Sequence, residues 1–321
     1  MTQLIGSLVL ALLLGLIFTK IEIPIIRNKQ MGQNIREEGP ESHKAKAGTP
    51  SMGGVALIGA ALLAAIIAGI SFGAFSGWMA VMILVTAGFG AVGFLDDYLK
   101  VIKKQNEGLN PKQKIIFQFA ISVAVAIYAY IVNDAMVYIP FYGQTVSFGI
   151  LYIPFIIFAV VAMTNAVNLT DGLDGLASGC VALSSLFFAL TAATFFANNS
   201  TAIFAACITG GCLGFLWWNK NPAKIFMGDT GSLALGGALA IAAISLKMEI
   251  FLLLVGLIYV CEALSVVIQV AVFKKTGKRV FRMSPIHHHF ELGGMGEKKV
   301  VMMFWSVTLV CCIIGFLIMG I

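Results

Sequence analysis

Ten stretches of this chain are apolar for long enough to cross a membrane's hydrocarbon slab, which is about 30 Å thick. They lie near residues 3–22, 52–70, 78–95, 115–132, 149–166, 175–195, 202–218, 232–247, 249–272 and 300–320. A backbone surrounded by hydrocarbon must satisfy its own hydrogen bonds, and a single run of this length does so only as a helix. The expected fold is therefore an all-α polytopic integral membrane protein with ten transmembrane helices. With 59% hydrophobic and 11% charged residues over 321 positions, the chain fits no soluble globular class. A basic segment without a cleavage pattern follows the first run, which therefore reads as a retained span rather than a signal peptide. No internal repeat or low-complexity linker divides the chain, so residues 1–321 read as one membrane-embedded domain.

Lysine and arginine orient the spans, because they accumulate in cytoplasmic connections. When alternate connections are assigned to one side, only Lys247 falls there, and the other 20 of the 21 basic residues fall opposite. The basic face is expected to be cytoplasmic and both termini extracytoplasmic. The outer connections are short. The longest, 133–148, alternates apolar and polar residues on either side of Tyr142-Gly-Gln144, the pattern of a small β-hairpin. Of the 15 acids, Asp134 and Glu249 fall outside and Glu262 falls within the ninth run. The rest share the basic face, and orientation explains the bases there but not the acids among them. Such a face attracts anions, either phosphorylated substrates or lipid headgroups. The six cysteines show no zinc spacing and read as packing residues, with no structural disulfide expected.

Five stretches on that face carry candidate chemistry. In Phe226-Met-Gly-Asp-Thr-Gly-Ser232, Asp229 offers hard oxygen ligands of the kind Mg²⁺ takes, although a Gly-Asp-x-Gly run is also an ordinary turn. Asp96-Asp97 ends the third run beside Lys100, Lys103 and Lys104, so acids that bind metal or accept a proton sit among bases that hold phosphate. Asn165, Asn168, Asp171 and Asp174 recur every three residues, and a helix cap explains only one of the four. Lys46 precedes a Gly- and Pro-containing loop and can hold a phosphate as a mobile charge, and Asn219 and Lys224 lead into Phe226, whose ring could stack on a base. His287-His288-His289 lies on an internal connection, where imidazoles suit phosphate better than zinc.

These motifs together resemble the bacterial phospho-N-acetylmuramoyl-pentapeptide transferase family, of the polyprenyl-phosphate N-acetylhexosamine-1-phosphate transferase superfamily. The resemblance runs nearly end to end, on Gly48-Thr-Pro-Ser-Met-Gly-Gly54, Phe94-Leu-Asp-Asp-Tyr98, Asn168-Leu-Thr-Asp-Gly-Leu-Asp-Gly175, Phe226-Met-Gly-Asp-Thr-Gly-Ser-Leu233 and Pro285-Ile-His-His-His-Phe-Glu291. Ser51 stands where the family more often has threonine, which keeps the hydroxyl. The resemblance implies transfer of phospho-MurNAc-pentapeptide from UDP-MurNAc-pentapeptide to undecaprenyl phosphate, giving lipid I and UMP, with Mg²⁺ as cofactor. It implies a homodimer in the bacterial cytoplasmic membrane with a cytoplasmic active site, and no nucleic-acid partner. By motif, Asp229 would bind the metal, and Asp96 and Asp97 would complete the acidic catalytic centre. Lys46, Asn168, Asp171, Asp174, Asn219 and Phe226 would hold nucleotide and phosphates, and Lys100, Lys112, His287, His288 and His289 would line the phosphate and sugar region. Glu262 and Gln269 would lie in a ninth span broken midway, beside a groove for the polyprenyl chain. The alternatives are a related transferase of GlcNAc-1-phosphate and, more distantly, an ion-coupled transporter.

Overall fold

A computed structural model describes residues 1–28, 48–103, 108–140 and 142–320, excepting the side chains of residues 102 and 103. The first helices are α1 (Thr2–Asn28), α2 (Gly54–Ser71), α3 (Gly77–Lys103) and α4 (Pro111–Asn133). A hairpin of β1 (Met136–Ile139) and β2 (Gln144–Ser147) leads into α5 (Tyr152–Thr170), α6 (Leu176–Thr194), α7 (Asn199–Asn219) and α8 (Gly228–Ser245). The short α9 (Phe251–Val255) precedes α10 (Leu257–Thr276), and the short α11 (Ile286–Glu291) precedes α12 (Glu297–Met319). Among the described residues, ten helices are long and apolar enough to cross a membrane: α1 to α8, α10 and α12. The ninth run is interrupted at Gly256, between α9 and α10. The break therefore comes about two turns from the start of that run, not midway as expected.

The hairpin is antiparallel, with Met136 opposite Ser147 and Ile139 opposite Gln144. Its Tyr138 amide donates to the Lys247 carbonyl at 2.7 Å, tying it to the turn after α8.

Helix α8 is the post around which the bundle is built. In its spanning window 89% of residues are buried, against 28% for α1, α4 and α10. The reason lies in its side chains, a succession of Gly, Ala and Ser with Leu and Ile between them, which lets neighbouring backbones approach from every side. It packs against α2 to α7, with the longest contacts along α3 and α5. Its large neighbours Phe89 and Ile156 are fully buried. The peripheral helices turn isoleucine and leucine ridges outward, as in Ile5, Val9, Leu13, Ile17 and Ile21 of α1, which suits a lipid-facing surface. All six cysteines are free.

Candidate active site

The site forms at the first turn of α8. The first amides of any helix lack intrahelical acceptors, and here α3 supplies one. Asp97 Oδ1 accepts from the Asp229 amide at 3.1 Å, and its Oδ2 accepts from the Thr230 amide at 2.9 Å and the Thr230 hydroxyl at 2.7 Å. Asp97 thus caps α8 from another helix, where the helix dipole also favours a carboxylate. This needs close backbone approach. A side chain at Gly93, one turn earlier on α3, would overlap the Asp229 backbone, and one at Gly54 would overlap Gly231. The loop before α2 is clamped to the same place by Gly53 N to Phe226 O, Gly54 N to Met227 O and Phe226 N to Pro50 O, each 2.8 Å.

Asp96 lies one residue away and about 100° round α3. Its Oδ2 is 2.6 Å from Lys100 Nζ and its Oδ1 accepts from the Leu109 amide at 2.9 Å. Lys100 Nζ also lies 3.1 Å from Asp229 Oδ2 and 3.8 Å from Asp97 Oδ1. Lys114 Nζ reaches the same Asp229 oxygen at 2.7 Å. The other oxygen, Oδ1, accepts from Asn168 Nδ2 at 2.8 Å, and that amide also donates to Ser232 Oγ at 2.8 Å. Asp96, Asp97 and Asp229 bring ligand atoms within 4.8 Å of one another. Three carboxylates against two ammonium groups leave an excess negative charge, and the donors are hard oxygens. That set fits a divalent cation of the Mg²⁺ class.

Asp171 follows α5 and faces this cluster. Its carboxyl has no hydrogen-bond partner among the described residues. Desolvation first, then the charges of Asp229, Asp97 and Asp174, push it up to about 8.

Other predicted residues are placed nearby but not in the cluster. Asp174 is buried, and its Oδ2 accepts from Asn221 Nδ2 and the Ala223 amide, both at 3.0 Å. Asn219 is also buried. Its Oδ1 accepts from the Gly175 amide at 3.1 Å and Ser178 Oγ at 3.0 Å, while its Nδ2 donates to the Ile225 carbonyl at 2.9 Å. Both hold the loops around the site. Asn165 bridges α5 to Gln118 of α4 at 2.7 Å. Phe226 is half-buried and pairs through its backbone. His287 is wholly buried, His288 Nδ1 lies 2.8 Å from Glu291, and His289 Nδ1 accepts from the Arg282 amide at 3.2 Å. Gln269 is buried, and its side chain accepts from the Val280 and Phe281 amides and donates to the Phe281 carbonyl. Lys46 lies outside the described residues.

Lys112 is exposed, and Lys114 is the lysine brought to Asp229. A signal for this existed. Asn110 and Pro111 start α4 with a capping box, and Gln118 is a polar residue deep in an apolar run. Counting back four residues from Gln118 reaches Lys114 on the same inward face, whereas Lys112 points elsewhere.

Residues 79–247 match the model of glycosyl transferase family 4, and residues 46–58 match signature 1 of phospho-N-acetylmuramoyl-pentapeptide-transferase. Relatives bearing that transferase name cover nearly the whole chain. One from Clostridium beijerinckii is 49% identical over 98% of this chain and 96% of its own. One from Acetivibrio thermocellus is 48% identical over 96% and 93%. One from Staphylococcus carnosus is 47% identical over 96% of each.

Proposed function

The chain belongs to the phospho-N-acetylmuramoyl-pentapeptide-transferase family, a membrane branch of glycosyl transferase family 4, and from that premise we propose its substrates and mechanism. It is a phosphoglycosyl transferase with a multi-pass membrane fold. In our reading the donor is UDP-MurNAc-pentapeptide, the acceptor is undecaprenyl phosphate, and the products are lipid I and UMP. The site opens to the cytoplasm in a bacterial cytoplasmic membrane, both termini lie outside, and the enzyme works as a homodimer. The observation that carries this reading is the convergence of Asp229, Asp96, Lys100, Lys114 and Asn168 where α3, α4, α5 and α8 meet.

Acceptor phosphate and donor pyrophosphate are both anions, so repulsion and orientation dominate the barrier. Asp229, with Asp96 beside it, would hold Mg²⁺, which supplies neutralisation of charge on the pyrophosphate. Lys100 and Lys114, now paired with carboxylates, would swing to the phosphates and stabilise the departing UMP. Asn168 fixes the orientation of the Asp229 carboxylate. Asp97 uses both oxygens to cap α8, so in our reading Asp96 is the acid that would accept a proton once Lys100 moves to the phosphates. The second pKa of a phosphate monoester is about 6, so near neutral pH the acceptor is largely a dianion and needs little help from a base. We therefore favour direct in-line attack over a covalent aspartyl intermediate.

The test is UMP release by purified protein from UDP-MurNAc-pentapeptide, with and without undecaprenyl phosphate and Mg²⁺, and with UDP-GlcNAc as a competing donor. Release that requires all three components is the expected result. Release from UDP-GlcNAc instead would move the chain to the GlcNAc-1-phosphate branch. An isolable sugar-phosphate adduct on Asp96 or Asp97 would overturn in-line attack.

A further inference from the structure

Glu262 sits in α10 with none of its surface exposed. A carboxyl inside a spanning segment is costly, and where one is retained it has a partner and usually a task. Its partner is His287, also fully buried, whose Nδ1 lies 2.9 Å from Glu262 Oε1. Glu262, Ser265 and Gln269 form an inward polar stripe on α10, and Glu262 and Gln269 hold the connection to α12 from below. The remaining polar atoms of the pair, Glu262 Oε2 and His287 Nε2, are buried without a hydrogen-bond partner.

The imidazole has a definite target. Any side chain at Gly172 would overlap its Nε2 edge, so the ring lies directly against the backbone between Asp171 and Asp174. On its other side the His288 ring packs at 4.1 Å. Glu262 therefore fixes which nitrogen of His287 faces the membrane interior and which faces the Asp171 loop.

We propose that Glu262 is a positioning residue of the transfer reaction, acting through His287 to hold the Asp171–Asp174 loop and His288 in register with the acidic cluster. The proposal rests on the transferase reading above and adds a residue that no site motif contains. The hydrogen bond that Glu262 makes to another segment of the chain is the one to His287. Its effect is carried entirely by the imidazole.

The experiment measures UMP release and melting temperature for Glu262→Leu, Glu262→Gln, His287→Asn and the Glu262→Leu/His287→Asn double variant. Glu262→Leu should lower kcat by roughly 10- to 100-fold in protein that still melts near the wild-type temperature. Glu262→Gln, whose amide oxygen can still accept the Nδ1 proton, should recover most of that loss. In the His287→Asn background, Glu262→Leu should cost no more than about twofold, because the route is already cut. If Glu262→Leu fails to fold, Glu262→Ser takes its place. An equal penalty with and without His287, wild-type kcat in Glu262→Leu, or losses that merely track a lowered melting temperature would each overturn the proposal. Wild type that releases no UMP overturns the transferase substrates and the proposal with them. Wild type that works alongside an equally active Glu262→Leu overturns the positioning role alone.

Discussion

Helix α8 has a buried carboxyl centre near each end, and the two resolve the same physical problem in opposite ways. At its start, Asp96, Asp97 and Asp229 meet within hydrogen-bonding reach of Lys100, Lys114, Asn168 and the first α8 amides. Just past its end, Glu249 is buried with one partner, the Tyr152 hydroxyl at 2.9 Å, and its Oε2 has none. Asn133 closes that group by donating to the Ile244 carbonyl at 2.7 Å. Two ammonium groups, an amide side chain and helix N–H groups pair the carboxyls of the first centre. At Glu249 desolvation outweighs its backbone and Tyr152 hydrogen bonds and the charge of Lys247 and pushes it up to about 8, so at neutral pH it is mostly a neutral hydrogen-bonding group. One centre brings three carboxyls close enough to hold a metal ion. The other is a joint between the hairpin, α5 and the turn after α8.

The sharpest way to break this contrast is Asp229→Asn, which should lower UMP release on the order of 10³-fold. Because Asp97 still caps α8, the melting temperature should barely move. Lys114→Ala should cost about 10²-fold in kcat, whereas Lys112→Ala should cost less than about threefold. Equal losses for the two lysines would contradict the geometry at Asp229. Asp97→Ala should differ from Asp229→Asn by lowering stability as well as activity, by about 1–2 kcal/mol for a lost helix cap.

The outer centre gives the smallest effect on activity. Glu249→Gln should leave UMP release within about twofold while changing how stability depends on pH. The folded protein binds this proton more tightly than the unfolded chain, whose value is near 4.5. Wild-type stability should therefore be greatest below that value, decline as pH rises toward about 8, and level off above it. Thermal melts from pH 5 to 9 should show that slope in wild type and a flatter profile in Glu249→Gln. A parallel slope in both would remove Glu249 as its source.

Much of the site was legible in the chain itself. The spacing of Asn165, Asn168, Asp171 and Asp174 announced an inward-facing polar row, and Asn168 and Asp171 do face Asp229. Asp174 and Asn219 belong to the same motifs, yet their side chains are occupied in holding loops. A motif records that residues are needed together, and does not distinguish a group that meets the ligand from one that shapes its surroundings.

What the sequence by itself determined is whatever depends on neighbours along the chain: ten spans, the hairpin at 136–147, and the acids collected on the basic face. Hydrocarbon thickness and backbone hydrogen bonding act on local stretches, so local composition suffices. Helix α8 is instructive here, because the least hydropathic of the ten spans is also the most buried. Small residues that suit it poorly to lipid suit it well to six neighbouring helices. Only the tertiary structure decided that Asp97 rather than Asp96 caps α8, that Lys114 rather than Lys112 reaches Asp229, and that Glu262 pairs with His287. Adjacent residues on a helix point about 100° apart, so which one faces the site depends on how that helix packs against others distant in sequence.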